Sequence, residues 1–220
     1  VTMAQPFENI PKFLNRYMSI TKMLGIISTN KLFFSNPQNW IDKNDYELLR
    51  LYKEKRHLKS LYVLCFSKDS ETISYWTDYA DNCRGCCIEF DTMKLFEAIK
   101  ASEYNEYIRH SPIDYISTKR LKELSCPIDK FPFCKRWPFR AEGEYRIIVS
   151  SQEEITTPYL QIDNACINRI TIGPKPFVSE SDFNDLKKII ENYNISAINH
   201  SQILYLEKWI NKFKEISNDT

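Results

Sequence analysis

Two glutamates and an arginine lie close together in the stretch from Trp137 to Val149. From residue 142 onward this stretch alternates between polar and apolar residues as a half-buried strand does, because successive strand side chains point to opposite faces. Glu142, Glu144 and Arg146 would then share one face of the strand. Two neighbouring carboxylates repel each other, so an arginine, a cationic ligand or water has to compensate their charge. Both a solvated face with Arg146 as counter-ion and a binding or catalytic site fit this pattern.

The composition limits the classes of protein to which the chain can belong. With 220 residues, 43% hydrophobic and 14% aromatic, it is expected to fold around a sizeable core. The net charge of +1 gives no overall attraction to nucleic acid or to a membrane, although a local basic patch stays open. The sequence shows no signal peptide and no apolar run of the roughly 18 residues that a membrane helix needs. We therefore expect a cytoplasmic protein without a membrane partner.

The seven cysteines do not suggest a disulfide framework, because their number is odd, and they favour a reducing compartment. Cys83 and Cys86 form a C-x-x-C pattern with Cys87 adjacent. Cys126 and Cys134 could complete a zinc site, but their spacing is not that of a zinc knuckle. We expect buried cysteines and no metal.

The four glycines exclude the common phosphate-binding loops. Gly25, Gly85, Gly143 and Gly173 are too far apart for the dinucleotide-binding fingerprint or for the P-loop. If a nucleotide binds to this chain, arginines and side-chain hydroxyls have to hold it.

Helical and strand patterns alternate along the chain and predict one mixed α+β domain over residues 1–220, with its core at about 11–205. Asp45 is predicted to cap the second helix. The region 103–136 is read either as a lid or as a surface excursion, with a possible helix at 117–124. The predicted strands are 11–17, 32–34, 61–67, 86–90, 142–149, 167–172 and 196–198, and the predicted helices are 20–27, 45–59, 71–81, 92–101, 179–193 and 204–215.

Several short motifs together resemble a bacterial family of domains of unknown function. The match covers about residues 11–205 and departs from the family at 40–45, where a characteristic Asn-Asp-Pro-Phe-Glu loop is missing. The motifs stand here as Leu14-Asn15-Arg16-Tyr17, Cys65-Phe66-Ser67, Trp76-Thr77-Asp78-Tyr79-Ala80, Gly85-Cys86-Cys87-Ile88-Glu89-Phe90, Trp137 with Glu142-Gly143-Glu144-Tyr145-Arg146, and Ile167-Asn168-Arg169-Ile170-Thr171-Ile172-Gly173.

The chain also resembles ADP-ribosyltransferases of the arginine–serine–glutamate type. These carry a basic residue on the first strand, a serine on a middle strand and Glu/Gln-x-Glu on a later strand, and this chain offers Arg16, Ser67 and Glu142-x-Glu144 in that order. The resemblance implies an ADP-ribosyltransferase-like fold with a central, mostly antiparallel sheet flanked by helices. It also implies NAD as substrate and a nucleic-acid or protein acceptor.

The same resemblance implies roles for the two glutamates. Breaking the nicotinamide–ribose bond of NAD develops an oxocarbenium-like cation, which a fixed carboxylate stabilises. Glu142 and Glu144 are the catalytic candidates, one beside the ribose and the other polarising the acceptor nucleophile.

Six residues are candidates for binding NAD. Arg16 would pair with phosphate through its planar guanidinium, and Ser67 would hold a glutamate by a hydrogen bond. The remaining candidates are Arg146 and three aromatic residues that could flank the nicotinamide or adenine ring, namely Tyr17, Trp76 and Tyr79.

Plainer interpretations stay open for the same residues. Arg16 could be a surface residue, Ser67 could end a strand, and Trp76 with Tyr79 could belong to the core. The glutamates could pair with arginines and serve only the fold, as in a non-catalytic binding module. An RNA- or DNA-acting effector is a further alternative, suggested by the basic runs at 53–57 and 119–120. If the transferase interpretation holds, analogy suggests a toxin or phage-defence effector with a neutralising partner.

Overall fold

A seven-stranded sheet forms the centre of the computed structural model, which describes residues 10–69, 71–175 and 177–218. Neighbouring strands are antiparallel except for the last pair along the chain, which is parallel. In spatial order the strands are β11 (Ile198–His200), β10 (Ile167–Ile172), β4 (Cys86–Asp91), β1 (Phe13–Met18), β3 (Ser60–Ser67), β8 (Glu144–Ser151) and β5 (Ile108–Pro112). The predicted mixed α+β fold with a mostly antiparallel central sheet is confirmed.

Two short pairs of strands flank this sheet. They are the antiparallel pair β2 (Lys31–Phe33) and β9 (Tyr159–Gln161), and the parallel pair β6 (Asp114–Ile116) and β7 (Cys134–Arg136). The region 103–136, which was interpreted as a lid or a surface excursion, thus contains three strands. The helix predicted at 117–124 is a 3₁₀ helix, Thr118–Glu123.

Five of the six α-helices in the described part of the chain begin at side chains that their sequences offer as caps. Ser19, Asp42, Thr72, Asp91 and Ser179 each accept a hydrogen bond from a backbone N–H of the first turn that follows. The helices are α1 (Ile20–Thr29), α2 (Lys43–Lys55), α3 (Ile73–Tyr79), α4 (Thr92–Ala101), α5 (Glu180–Glu191) and α6 (Glu207–Asn218). Among the described residues, no helix combines the length and the apolarity that crossing a membrane requires.

The cap of α2 differs from the prediction. Asp42 caps this helix, and Asp45 lies inside its first turn and is buried, with 2% of its surface exposed. The sequence favoured Asp45 because it is acidic and precedes the helical pattern, but Asp42 comes one turn earlier and takes that role.

Apolar side chains cover both faces of the central strands. On one face, Leu14, Phe66 and Ile147 pack in a large cluster with residues of α1 and α4. On the other face, Val63 and Ile148 pack in a smaller cluster with residues of α2. Both faces of the central strands are therefore covered by apolar clusters, and the burial of this apolar area stabilises the sheet.

The sheet is almost divided between β1 and β3. Strand β1 pairs with β4 from Phe13 to Met18, and β3 pairs with β8 from Ser60 to Ser67. The register between β1 and β3 joins one pair, Asn15 and Ser67. Further along β3, Val63 pairs with Ser35 instead. The two halves of the sheet therefore separate beside Arg16 of β1 and the residues preceding Ser67 of β3.

The strand predicted at 142–149 begins at Glu144, so the expectation that Glu142 shares its face is wrong. Glu142 ends a 3₁₀ helix, Trp137–Glu142, and Gly143 follows in the left-handed region with φ of 45°. Glycine adopts this conformation at low steric cost, so the backbone turns before the strand starts. The single-domain prediction over 1–220 stays a prediction, and residues 1–9, 70, 176, 219 and 220 lie outside the described part.

Two glycines offer a matched test of the packing. A Cβ at Gly85 would collide with the carbonyl oxygen of Met18 and lie 2.8 Å from that of Ala80, whereas a Cβ at Gly25 in α1 would meet nothing within 4 Å. We expect Gly85→Ala to lower the free energy of unfolding by about 1–3 kcal/mol through overpacking. Gly25→Ala should raise it by up to about 1 kcal/mol, because alanine favours the helix. Urea unfolding measures both, and equal stability of the two variants would contradict this packing.

Candidate functional site

A cleft of about 900 Å³ lies where β1 and β3 separate. Side chains and backbone of β1, β3 and β8 line it together with the start of α2, one face of α3 and the 3₁₀ helix that precedes Glu144. Of the eight residues predicted to form a site, seven line this cleft: Arg16, Tyr17, Ser67, Tyr79, Glu142, Glu144 and Arg146. The eighth, Trp76, does not.

Arg146 is the centre of a buried ion network at the floor of the cleft. None of its surface is exposed, and it donates from all of its N–H groups. Nε and Nη2 donate to the two carboxylate oxygens of Glu144 at 2.7 and 2.9 Å. Nη1 and Nη2 donate to the two oxygens of Asp45 at 2.9 and 2.8 Å, and Nη1 also donates to the Pro132 carbonyl at 2.9 Å. All donors of its guanidinium are thus engaged within the protein, and a ligand contact of Arg146 stays a prediction.

Lys135 connects the same network to the rim of the cleft. Its Nζ lies 2.5 Å from Glu142, 3.4 Å from Glu144 and 3.6 Å from Asp45. Three carboxylates thus surround two cations, which leaves one negative charge when all five groups are ionised. Burial by itself would lower the pKa of Lys135, but the surrounding carboxylates raise it, so Lys135 stays charged.

The two glutamates have opposite titration behaviour. Burial by itself would raise the pKa of Glu144, but the charge and hydrogen bonds of Arg146, with help from Lys135, lower it to about 2. Burial raises the pKa of Glu142, and the opposing effect of Lys135 does not overcome it. Glu144 is therefore a permanently charged group at the floor, whereas Glu142 binds a proton more readily than an ordinary glutamate.

Glu142 is the more accessible of the pair, with 19% of its side chain exposed against 5% for Glu144. Its Oε1 accepts a hydrogen bond of 2.9 Å from the hydroxyl of Tyr79, and its Oε2 contacts Lys135. Burial and the charge of Glu142 raise the pKa of Tyr79, so the hydroxyl remains a donor. Glu142 is thus held at the rim of the cleft with its carboxylate partly open to solvent.

Arg16 has no carboxylate partner among the residues that the structure describes. Its position opposite Ile88 places it on the face of β1 that also carries Leu14, the face opposite to that of Glu144. Its guanidinium lies 5.8 Å from the centre of the Phe66 ring, and it forms no hydrogen bond or ion pair with any described residue. Burial lowers the pKa of Arg16. The break in the sheet nevertheless lets this residue line the same cleft as the glutamates.

Ser67 binds a tyrosine in place of the predicted glutamate. Its hydroxyl donates to the Tyr75 hydroxyl at 2.9 Å, and Tyr75 donates in turn to the Ala141 carbonyl at 2.7 Å. The backbone N–H of Asp69 donates to Ser67 at 3.1 Å. Ser67 therefore connects the end of β3 to the segment that carries Glu142. It lies opposite Glu144 in the pairing of β3 with β8, but its hydroxyl forms no hydrogen bond with the carboxylate of either glutamate.

Trp76, predicted as a ligand contact, has none of its surface exposed and does not line the cleft. Its Nε1 donates to Glu71 at 2.6 Å, and its ring meets that of Tyr17 edge-on at 5.2 Å. Tyr17 also packs against Tyr75 at 5.0 Å. Trp76 supports the Tyr17 wall of the cleft from behind, as the core interpretation of Trp76 anticipated.

Four residues that the sequence analysis did not select belong to the site. Asp45 and Lys135 complete the ion network, the ring of Trp40 lies 5.3 Å from the Arg146 guanidinium, and the ring of Phe139 lies 5.0 Å from Lys135. The contact between Asp45 and Arg146 spans 101 residues, so no local spacing reveals it. The only signal for Trp40 was its position in the loop that departs from the family motif.

The cysteines are all free thiols. Burial raises the pKa of Cys86 and of Cys87, and the Sγ atoms of Cys126 and Cys134 lie 3.7 Å apart. Within residues 10–69, 71–175 and 177–218, no group of three or more histidine, cysteine, aspartate or glutamate side chains is arranged to hold a metal ion.

Comparison with known proteins finds similarity of structure without similarity of sequence. No family model matches the chain, and no curated protein matches it. One solved structure that resembles it is that of DarT from Thermus sp. 2.9 in complex with ADP-ribosylated ssDNA, with a TM-score of 0.44 and 11% identity. The match covers 89% of this chain and 97% of the DarT chain. These values carry no assignment of function to this protein.

The ion network predicts how stability depends on pH. Because the folded-state pKa of Glu144 lies below the usual 4.5, Glu144 contributes stability that is complete above that value and is lost as the pH falls towards about 2. The raised pKa of Glu142 acts in the opposite sense, because its protonation favours the folded state. Urea unfolding between about pH 5 and pH 2 should show a smaller loss of stability for Glu144→Gln than for the wild type, and a larger loss for Glu142→Gln. Identical pH profiles for the three proteins would contradict this assignment.

Proposed function

We propose that the cleft binds NAD and that the protein transfers ADP-ribose from NAD to an acceptor. The observation that carries this proposal is the distribution of charge. The network of Arg146 and Lys135 carries one excess negative charge when Glu142 at the rim is ionised, and Arg16, which pairs with no carboxylate of a described residue, lines the same cleft. NAD has the matching pattern, with a negative pyrophosphate and a positively charged nicotinamide ring. Arg16 is the proposed partner of the pyrophosphate, in keeping with the preference of guanidinium groups for phosphate.

The size and the walls of the cleft support the same ligand. Its volume of about 900 Å³ falls within the range of small-molecule sites. Tyr17, Trp40, Tyr79 and Phe139 line it and offer ring faces or edges to the nicotinamide and adenine. We propose that Trp40, whose ring already lies against the Arg146 guanidinium, takes the stacking role that the sequence suggested for Trp76.

The two glutamates divide the proposed chemistry. When the nicotinamide leaves with the bonding electron pair, positive charge develops at the ribose carbon, and the fixed charge of Glu144 stabilises it. An oxygen or nitrogen of the acceptor then bonds to that carbon. Its proton passes to Glu142, whose raised pKa makes it the better proton acceptor of the two. Ser67 is a positioning residue in this scheme, because it reaches the Glu142 segment through Tyr75.

The acceptor and the biological setting extend this proposal. A nucleic-acid or protein acceptor, a role as a toxin or phage-defence effector, and a neutralising partner follow from analogy with known transferases. A cytoplasmic location likewise remains a proposal.

One observation favours a second candidate, a module that binds its ligand without turnover. Both carboxylate oxygens of Glu144 already accept hydrogen bonds from Arg146, so this glutamate can serve the fold alone. A binding module predicts that NAD binds and that nicotinamide is never released. The RNA- or DNA-acting alternative has part of its basic run, Lys53 and Lys55, in the last turn of α2, and those residues do not line the cleft.

The deciding experiment incubates the purified protein with adenylate-labelled NAD and, separately, with single-stranded DNA, RNA, duplex DNA and a cell protein extract. We expect label on one acceptor together with stoichiometric release of nicotinamide. Glu144→Gln and Glu142→Gln should each lower the rate of transfer by about 100-fold or more, since each removes electrostatic or acid–base assistance. Chromatography of nicotinamide and gel autoradiography measure the two products.

The matched control is Glu89→Gln, because Glu89 forms an ion pair with Arg169 and does not line the cleft. This variant should transfer at the wild-type rate. Nicotinamide release by neither the wild type nor any variant, or full transfer by Glu144→Gln, would refute the transferase. Calorimetric titration with NAD then decides for or against the binding module.

A further inference from the structure

An exposed basic and aromatic strip lies directly beside Glu142. We call it the Trp137 strip and define it by Arg136, Trp137 and Arg140, with Lys119 and Arg120 at its far end. Trp137 has a large aromatic side chain, and 48% of its surface is exposed. The guanidinium of Arg140 lies 4.9 Å from the centre of its ring. The 3₁₀ helix Trp137–Glu142 joins this ring to the rim of the cleft in six residues.

The pairing of two strands connects the two ends of the strip. Strand β6 pairs with β7 in parallel, and Ile116 lies opposite Arg136. The chain after Ile116 enters the 3₁₀ helix Thr118–Glu123, which carries Lys119 and Arg120 within four residues of that pair. The basic dipeptide that the sequence suggested for nucleic-acid binding thus follows the strand that runs beside Arg136.

The cations of the strip have no acidic partner within residues 10–69, 71–175 and 177–218. Arg136, Arg140, Lys119 and Arg120 are exposed, and none of them forms an ion pair with a residue that the structure describes. The acidic residues nearest in sequence to Lys119 and Arg120 are Asp114 and Glu123, and neither forms an ion pair with a described residue. The one nearest to Arg136 and Arg140 is Glu142, whose carboxylate pairs with Lys135 instead. By contrast, Arg56 and Arg109 elsewhere on the surface share the carboxylate of Asp129. The strip therefore offers positive charge to a partner.

We propose that the Trp137 strip binds single-stranded nucleic acid and delivers it to the cleft as the acceptor. An unpaired base can stack on the free side of the indole, and the arginines on either side can contact the flanking phosphates. A duplex does not expose a base face for stacking, which is why a single strand fits better. This inference rests on the proposed transfer function for its purpose, but the binding itself needs neither NAD nor turnover.

The test measures fluorescence anisotropy of labelled single-stranded DNA and RNA 12-mers with the full protein, without NAD, over a series of salt concentrations. Trp137→Ala should weaken binding by about 5- to 150-fold, the value of one base–aromatic stack. Arg136→Gln with Arg140→Gln should weaken binding and lower the slope of log affinity against log salt by about 1.4, since two phosphate contacts are lost. A duplex of the same sequence should bind more weakly than the single strand.

The control variants remove equivalent groups from α6. Trp209→Ala deletes another exposed indole, 62% exposed, and Lys208→Gln with Lys214→Gln deletes two exposed cations. Both controls should bind the 12-mers as the wild type does. Circular dichroism confirms folding, which exposed substitutions of this kind leave intact.

The outcomes of the binding test decide whether the Trp137 strip binds single-stranded nucleic acid, and they do so independently of the proposed transferase function. Single-strand binding that is weakened by the strip variants and not by the controls supports the strip, even if no ADP-ribose is transferred. Absence of binding, equal loss in strip and control variants, or tighter binding to the duplex overturns it. Transfer of ADP-ribose to protein by a chain that does not bind the 12-mers would also overturn the strip while leaving the transferase standing.

Discussion

The bond network of Arg146 is the constraint on which the rest of the site depends. This arginine is completely buried in the sheet, and an unpaired charge in such a place would cost several kcal/mol, so its partners have to be fixed as well. Asp45 ties the first turn of α2 to strand β8, and the Pro132 carbonyl ties down the segment before β7. The same two hydrogen bonds that compensate Glu144 hold its carboxylate in one orientation. Stability and the geometry of the cleft therefore come from one cluster.

The cleft itself arises from the divided sheet. Because β1 and β3 share a single register pair, a residue on the core face of β1 reaches the same opening as carboxylates on the other face. Arg16 is brought to the cleft in this way and pairs with no carboxylate in the described part of the chain, while the opposite side holds three carboxylates against two cations. A site of this kind attracts a ligand that carries both signs of charge. The proposed use of NAD follows from that asymmetry.

The sequence predicted the elements well where periodicity and caps were local. Strand β3 with its continuous apolar run and helix α1 with its helical spacing were both found. Local patterns failed where a distant contact decides. The local sequence predicts Asp45 as a helix cap, yet its carboxylate accepts hydrogen bonds from Arg146, which lies 101 residues away in the chain. The alternation of polar and apolar residues predicted that the strand begins at Glu142, but the backbone turns at Gly143 and the strand begins at Glu144. The helical spacing of Trp76 and Tyr79 fits a role in the core as well as a role in ligand binding. Only the tertiary packing shows that Trp76 is buried in the core and that Tyr79 lines the cleft.

The most direct test of this account is the free energy of unfolding of Arg146→Met at neutral pH. Methionine fills much of the same space but removes the hydrogen bonds of Arg146 to Asp45 and Glu144 and leaves Lys135 as the one cation beside the three carboxylates of the network, so the account predicts a loss of about 3–5 kcal/mol. Arg169→Met breaks an ion pair in which the arginine is 44% exposed, and it should cost less than about 1 kcal/mol. Arg146→Met with the stability of the wild type would show that the network does not hold the site together and would contradict the account.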